Sequence, residues 1–346
     1  MSDEPTPQSA PPPVPVPDSA EAEERPAQGE REDVSATAAL LAGIRAEVGK
    51  VFLGQEAVLD QVLAALISGG HVLLEGKPGL GKTHLVLSIA ETFGGEFRRI
   101  QFTPDLMPSD VTGHTLFDMS SQEFRVRKGP VFCNLLLADE INRAPAKTQA
   151  SLLEVMQESC VTIDGDTLQL EPPFLVLATQ NPIEQEGTYP LPEAQLDRFL
   201  FKIVIDYPEA EIEKSIVSRV AGETLGMDVV AQVATKDEIN EARKACARVD
   251  AVPEVVAYAV NLCRATRESG GVQLGAGTRG AIGLVKAAKA FALIQGRSFT
   301  IPDDIKQAAL PVLRHRVSLA PELAIAGQTV DQHLLELVEG VEAPRT

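Results

Sequence analysis

Aromatic residues are scarce in this chain of 346 residues: they make up 4% of it, and tryptophan is absent. The sequence therefore offers no obvious platform on which nucleic-acid bases would stack. It also contains no run of about 18 apolar residues, which predicts that no helix crosses a membrane. The amino terminus carries acids where a secretory signal would carry basic residues, so we expect a cytoplasmic protein.

Cysteine and histidine are few and scattered. The four cysteines lie far apart without a Cys-x-x-Cys pair, which is typical of small buried residues in a reducing compartment. The five histidines show no metal-ligand spacing and are predicted to be structural or exposed: His71, His84, His114, His315 and His333.

Basic residues are outnumbered, at 31 Lys and Arg against 49 Asp and Glu, and the net charge is −18. This balance disfavours a surface built mainly to bind nucleic-acid phosphates. Residues 1–36 are rich in Pro, Ala, Ser and Glu and contain nine acids and two bases. Such a composition predicts a disordered leader, more simply a solubilising tail than a tether for a partner.

The central motif of the chain is a phosphate-binding loop between a strand-like run, 71–74, and a helical pattern. Glycines allow close approach to phosphate, Lys82 supplies a positive charge for the β- and γ-phosphates, and the Thr83 hydroxyl is placed for Mg²⁺. The predicted nucleotide-binding residues are Gly76, Lys77, Pro78, Gly79, Leu80, Gly81, Lys82 and Thr83.

Two further strand ends carry polar side chains. The apolar run 133–138 ends in Asp139, predicted to hold Mg²⁺, and Glu140, predicted to orient the attacking water. The run 174–178 is followed by Asn181, which is placed to contact the water or the γ-phosphate. Because parallel strands deliver their carboxyl ends to one sheet edge, these groups are expected to meet the phosphate-binding loop.

Two hairpins and one arginine lie outside this strand–helix alternation. Hairpins are predicted near 115–127 and 161–170, the second because Asp164-Gly165 separates alternating strands. Arg198 has two interpretations: a structural ion pair with Asp197, or an arginine finger that reaches a neighbouring subunit's γ-phosphate.

From residue 209 onward helical patterns predominate, which predicts a small all-α domain. A capping box at Thr235 and Glu238 starts one helix, and others are predicted at 253–267, 279–295 and 302–314. A stripe in the second of these is predicted to be domain core: Leu284, Val285, Ala288, Phe291 and Ala292. Arg279, at a helix start where a base opposes the helix dipole, is the candidate for an external anion.

Four segments resemble the MoxR family of AAA+ ATPases: 76–83, 101–110, 137–145 and 178–199. The resemblance covers the chain from about residue 38 onward. It implies an α/β fold, a P-loop AAA+ core with a five-stranded parallel sheet, followed by a helical lid, with ATP bound between them. The predicted domains are a leader (1–36), a nucleotide-binding core (37–208) and a lid (209–346).

The resemblance also implies roles for individual residues. Asn181 corresponds to sensor 1, Arg198 to the arginine finger and Arg279 to sensor 2, and the two hairpins resemble inserts that face a central pore. Gly81 stands where members often carry Ala. Gly277-Thr278-Arg279 replaces the usual Ser-Pro-Arg, which weakens the sensor 2 assignment.

The implied function is hydrolysis of ATP with Mg²⁺ to remodel, assemble or activate protein partners, in a ring that is expected to be hexameric. The partners implied are protein clients, often with von Willebrand factor A domain proteins. Two alternatives stay open. One is a DNA motor of a related clade, which is favoured by the local basic residues Arg98, Arg99, Arg125, Arg127 and Lys128. The other is a nucleotide-gated binding module, which the intact Glu140 disfavours.

Overall fold

The computed structural model describes residues 33–77, 79–180, 188–222 and 226–344. Its strands are β1 (Val72–Gly76), β2 (Phe97–Gln101), β3 (Gly113–Asp118), β4 (Glu123–Lys128), β5 (Leu135–Asp139), β6 (Cys160–Ile163), β7 (Asp166–Gln169), β8 (Leu175–Gln180), β9 (Phe201–Ile205), β10 (Val272–Leu274) and β11 (Ser318–Leu319).

Helices surround these strands. They are α1 (Ser35–Val48), α2 (Glu56–Ser68), α3 (Lys82–Thr92), α4 (Pro108–Thr112), α5 (Ala146–Glu158), α6 (Glu193–Leu196), α7 (Ala210–Ala221), α8 (Lys236–Arg248), α9 (Pro253–Glu268), α10 (Thr278–Ile294), α11 (Pro302–Leu313), α12 (Pro321–Ile325) and α13 (Val330–Gly340), with 3₁₀ turns at Ile141–Arg143 and Met227–Val229. In the described part of the chain, none of these helices has the length and apolarity needed to span a bilayer.

Five parallel strands form one sheet in the order β2-β5-β8-β1-β9, which confirms the predicted five-stranded sheet. The apolar runs of β1, β5 and β8 take its centre, where both faces are covered. The register places Gln101 opposite Asp139 and Glu75 opposite Gln180. The ends of four strands therefore meet at one edge.

The side chains of each central strand alternate between two hydrophobic cores. Leu73, Leu136 and Val176 pack on one side of the sheet with α5. On the other side, Leu74 and Leu137 pack with α2 and α3 in a core that continues into the lid. Alternation along a strand sends neighbouring residues to opposite faces, so both faces of the sheet are buried.

The lid shares the core of the nucleotide-binding domain. Leu284, Ala288, Phe291 and Ala292 of α10 are buried, as predicted for lid core. The Phe291 ring also lies 6.1 Å from that of Phe201 in β9, between ring centroids. The lid is thus packed against α2 and β9 through apolar side chains.

Local predictions in the hairpins and helices agree with the structure. The paired strands β3–β4 and β6–β7 are the two predicted hairpins, and the turn between β6 and β7 has positive φ at Asp164 and Gly165. In α8, Thr235 Oγ1 accepts from the Glu238 amide while Glu238 accepts from the Thr235 amide. The lid is helical, as predicted, apart from a short antiparallel ribbon in which β10 pairs with β11, and these strands are too short to give a sequence period.

Candidate nucleotide site

A cavity of about 420 Å³ lies at the carboxyl edge of the sheet. Its described lining comes from strand ends and from the phosphate-binding loop: Gly76, Gly79, Leu80, Gly81, Lys82, Thr83, His84, Arg99, Gln101, Asp139, Glu140, Thr179 and Gln180. The predicted convergence of loop and strand ends is therefore present in the fold.

The phosphate-binding loop turns sharply between β1 and α3. A Cβ on Gly76 would lie 2.6 Å from the Ile205 carbonyl oxygen, so a side chain there would separate β1 from β9. Gly81 has φ +75° and precedes the first residue of α3, a conformation that glycine adopts without strain. The first amides of an α-helix have no partner within the helix, and the first residues of α3 line the cavity, which suits anion binding.

The Lys82 side chain bonds back to the start of this loop. Its Nζ donates to the Gly76 carbonyl oxygen at 2.6 Å. Partial burial lowers the pKa of Lys82, while the negative charges of Asp139 and Glu140 oppose that shift. The ammonium group is thus held among the acids and the loop carbonyl, within reach of a phosphate that enters the cavity.

Asp139 is bound on both carboxylate oxygens. Thr179 Oγ1 donates to Oδ1 at 2.6 Å, and the Arg99 guanidinium lies 2.6 Å from Oδ2. Thr179 also accepts from the Glu140 amide at 2.8 Å. One buried hydroxyl at the end of β8 therefore fixes both acids at the end of β5.

Glu140 adopts a left-handed conformation, with φ +56° and ψ +50°. Such a conformation is costly for a residue with a Cβ and occurs most often at functional sites. Its Oε2 accepts from Gln101 Nε2 at 2.8 Å and from Arg143 at 2.9 Å. The carboxylate is thereby directed along the end of β2.

The donor set fits a magnesium nucleotide. Among the described residues no group of three His, Cys, Asp or Glu side chains is arranged to hold a metal ion. Mg²⁺ does not require one, because it is commonly held by one carboxylate together with water and substrate phosphates. Asp139 and the Thr83 hydroxyl line the same cavity as Lys82 and supply the oxygen ligands that this ion prefers.

Two predicted site residues, Asn181 and Pro78, lie outside the described residues. Gln180, the last residue of β8, lines the cavity. The predicted role of Asn181 stays a prediction. Lys77 is described, and its Nζ lies 4.7 Å from the centroid of the Tyr207 ring rather than among the lining residues.

The two predicted distal arginines, Arg198 and Arg279, are not among the residues that line this cavity. Arg198 is exposed and donates to the Leu153 carbonyl oxygen at 2.9 Å. Arg279 lies 3.6 Å from the Asp197 carboxylate, which also accepts from Arg316 at 2.7 Å. In the described structure Asp197 is thus paired with two lid arginines.

Sequence reasoning missed the side chains that hold the two acids. Thr179 lies near the end of a buried strand, and its place two residues before Asn181 in the sequence was the available signal. Arg99 and Gln101 lie two residues apart on β2 and bond Asp139 and Glu140, but in the sequence they look like ordinary exposed strand residues. Arg316 gave no signal beyond the basic segment 314–316.

Comparisons with known proteins agree with this geometry. Residues 71–201 match the model of the ATPase family associated with various cellular activities (AAA), and residues 264–336 match the AAA lid domain. A solved crystal structure of a candidate ATPase from Cytophaga hutchinsonii superimposes with a TM-score of 0.84 at 41% identity, covering 90% of this chain and 97% of that one. The fold and the site define an AAA-type P-loop ATPase.

The relatives narrow this class. The chain is 44% identical to the chaperone MoxR1 of Mycobacterium tuberculosis, covering 79% of this chain and 74% of that protein. It is 44% identical to YeaC of Bacillus subtilis (86% and 92% covered) and 32% identical to MoxR of Methylorubrum extorquens (86% and 93% covered). The chain belongs to the MoxR family of AAA+ ATPases.

Proposed function

We propose that the protein hydrolyses ATP with Mg²⁺ at a site that is completed by a neighbouring copy of the same chain. The observation that carries this proposal is a division of the site. Lys82, Asp139 and Glu140 line one cavity, whereas Arg198 lies outside it and is exposed to solvent. A cation that does not line the chain's own cavity is available to the cavity of an adjoining copy.

The residues of the cavity divide the work of phosphoryl transfer. Lys82 and the first amides of α3 bind and orient the phosphates, and Thr83 and Asp139 hold the magnesium ion. When bound, that ion neutralises charge on the phosphate oxygens. Glu140 orients and polarises the attacking water. The proposed role of Asn181 is to contact the same water or the γ-phosphate.

Arg198 and Arg279 are proposed to act together on the neighbour's nucleotide. Arg279 pairs with Asp197, the residue before Arg198, so Arg279 lies close to the segment of chain that carries Arg198. Arg279 therefore takes the part of sensor 2 across the subunit contact rather than at its own cavity. Arg198 donates to the main-chain oxygen of Leu153 at 2.9 Å, a bond that its guanidinium can exchange when a neighbour docks.

The proposed work of hydrolysis is chaperone-like remodelling of a protein client by a hexameric ring in the cytoplasm. One supporting observation is the name of the relative MoxR1, a chaperone. A second is the β3–β4 hairpin, where Phe117, Met119 and Phe124 are exposed. An exposed aromatic surface is suited to contact an unfolded or apolar segment. A von Willebrand factor A domain protein is the partner class that the family relation suggests.

The experiment that tests a shared site is a measurement of ATPase rate per subunit against protein concentration. Phosphate release is followed while sedimentation records the state of assembly, with Glu140→Gln as the control for contaminating activity. The rate per subunit is expected to rise as subunits associate. A rate that stays constant from dissociated to assembled protein would contradict the proposal. No release beyond that of Glu140→Gln in either state would instead favour a nucleotide-gated binding module.

A DNA motor is the second candidate, and one observation favours it. Along β4, Arg125 and Arg127 alternate with Phe124 and Val126, so the exposed hairpin has a basic face. A motor that uses this face would lose DNA affinity on Arg125→Ala with Arg127→Ala, and its binding would fall steeply with salt. If the protein does not bind DNA even at low salt, this candidate is excluded.

A further inference from the structure

A buried arginine of the lid binds the chain on both sides of Arg198. The Arg316 side chain is 5% exposed and follows α11. Its Nε donates to Asp197 Oδ1 at 2.7 Å, and one terminal nitrogen donates to the main-chain oxygens of Asp197 at 3.1 Å and Phe199 at 2.6 Å. The other terminal nitrogen donates to the Leu200 carbonyl oxygen at 3.2 Å. One guanidinium therefore fixes the residues before and after Arg198.

The charge of Arg316 is compensated where it is buried. Burial lowers the pKa of Arg316, and the hydrogen bond and charge of Asp197 oppose that shift. The second oxygen of the same carboxylate faces Arg279 at 3.6 Å. A buried charge needs a well-placed partner and further hydrogen bonds to offset desolvation, and Arg316 has both.

Attachment of the lid to the nucleotide-binding domain does not by itself explain the hydrogen bonds of Arg316, because other lid residues also provide it. The neighbouring Arg314 binds the Lys202 carbonyl oxygen at 3.4 Å and pairs with Asp331 at 2.9 Å, and His315 bonds the Phe199 carbonyl oxygen at 3.0 Å. Apolar contacts of α10 hold the lid as well. What distinguishes Arg316 is its set of bonds around one exposed arginine.

We infer that Arg316 is a positioning residue for the arginine finger. It holds the backbone at 197–200 in the conformation from which the Arg198 side chain reaches a neighbouring subunit, and through Asp197 it also orients Arg279. The inference rests on the proposed function, because it gives Arg316 no role apart from the shared site. A lysine at 316 would keep the charge but not the planar fork that serves several acceptors at once.

A double-mutant cycle tests this inference in the assembled protein. Arg316→Lys, Arg198→Ala and the double variant are compared by kcat, by equilibrium binding of an ATP analogue and by Tm. Arg316→Lys is expected to lower kcat about tenfold to a hundredfold, with analogue affinity unchanged because Arg316 does not line the chain's own cavity. The double variant is expected to be no slower than Arg198→Ala, since both changes remove the same contribution.

The matched control is Arg314→Lys, which alters the adjacent lid arginine without touching residues 197–200. It is expected to lower Tm and leave kcat unchanged. Should Arg316→Lys fail to fold, Asp197→Asn replaces it, because the amide retains an acceptor oxygen but loses the charge that orients Arg316 and Arg279. The expected result for that variant is the same loss of kcat.

Three outcomes would overturn the inference. The first is that the losses of kcat in Arg316→Lys and Arg198→Ala multiply in the double variant. The second is that Arg314→Lys lowers kcat as much as Arg316→Lys does. In either case the finger stands and only the role of Arg316 fails. If Arg198→Ala alone turns over ATP at the full rate, the shared site of the proposed function fails, and the inference fails with it.

Discussion

The side chain of Arg99 on β2 reaches Asp139 at the end of the neighbouring strand β5, with 2.6 Å between a guanidinium nitrogen and Oδ2. The carboxylate proposed to hold magnesium thus already has a cation of the protein at one oxygen. Because the Arg99 side chain is 49% exposed, the pair contributes at most about 1 kcal/mol. Because the ion pair contributes little to stability, a magnesium ion can replace Arg99 at Asp139 at low cost.

Removal of this internal cation should strengthen magnesium binding. In Arg99→Gln, Mg²⁺ affinity in the presence of an ATP analogue is expected to rise about fivefold, since no guanidinium competes for Asp139. The control is Arg98→Gln on the same strand, where Arg98 pairs with Glu96 instead. Titration of Mg²⁺ by calorimetry decides, and an affinity in Arg99→Gln that equals or falls below that of the control contradicts this role.

Lys82 and Glu140 should separate binding from chemistry. Lys82→Ala is expected to lose ATP affinity, because it removes the charge at the phosphates. Glu140→Gln is expected to bind ATP as before, to lose hydrolysis on the order of 100-fold or more, and to trap the assembled ring. Analogue binding and steady-state phosphate release measure the two effects, and unimpaired turnover in Glu140→Gln would remove that residue from catalysis.

Acid should destabilise the protein through His71. This buried imidazole accepts from the Val176 amide at Nδ1 and is bonded to the Met156 carbonyl oxygen through Nε2. Burial lowers the pKa of His71 to about 4. Between pH 6.5 and 4 the unfolded chain binds a proton that the folded chain does not, so stability falls as pH drops through this range, by about 3 kcal/mol in all.

The test of this prediction is the pH dependence of the free energy of unfolding. His71→Gln is expected to be less stable near neutral pH but to lose less stability on acidification than the wild type does. His84→Gln, at an exposed position, serves as the control and should keep the wild-type slope. Equal slopes for the two variants would show that His71 does not stay neutral in the fold.

The lid should unfold together with the nucleotide-binding domain. Phe291→Ala is expected to cost about 3–5 kcal/mol, because the ring is buried and packs near Phe201 in a core that both domains share. Ile325→Ala, also in the lid but with the side chain 87% exposed, should change stability by less than about 0.5 kcal/mol. Denaturant unfolding with two separate transitions would contradict a common core.

Much of the fold could be predicted from the sequence because local signals and long-range packing agree in it. The buried runs before Gly76 and Asp139 read as parallel strands, and Asp164-Gly165 specified a hairpin. The short ribbon of β10 and β11 could not be predicted, since two or three residues per strand give no period. The packing of the lid against the nucleotide-binding domain could not be predicted either, because the apolar stripe around Phe291 does not indicate which domain it contacts.

The candidate site likewise contains residues that could be predicted from the sequence and residues that could not. Lys82, Asp139 and Glu140 belong to motifs whose spacing indicates their chemistry, and the structure brings them into one cavity. The side chains that hold the acids, Arg99 and Thr179, act across strands, and their partners depend on strand order rather than on sequence distance. The same holds for Arg316, whose bonds to 197–200 cross more than a hundred residues of chain.

The most direct test of the shared site is to mix Arg198→Ala with Glu140→Gln in equal amounts. Each variant alone is expected to be nearly inactive. In mixed rings a site with Glu140 adjoins a subunit with Arg198 at random in roughly a quarter of positions, so phosphate release should recover to about that share of the wild-type rate. Once co-purification of differently tagged subunits has shown that the rings are mixed, activity no higher than the average of the two variants would contradict the account.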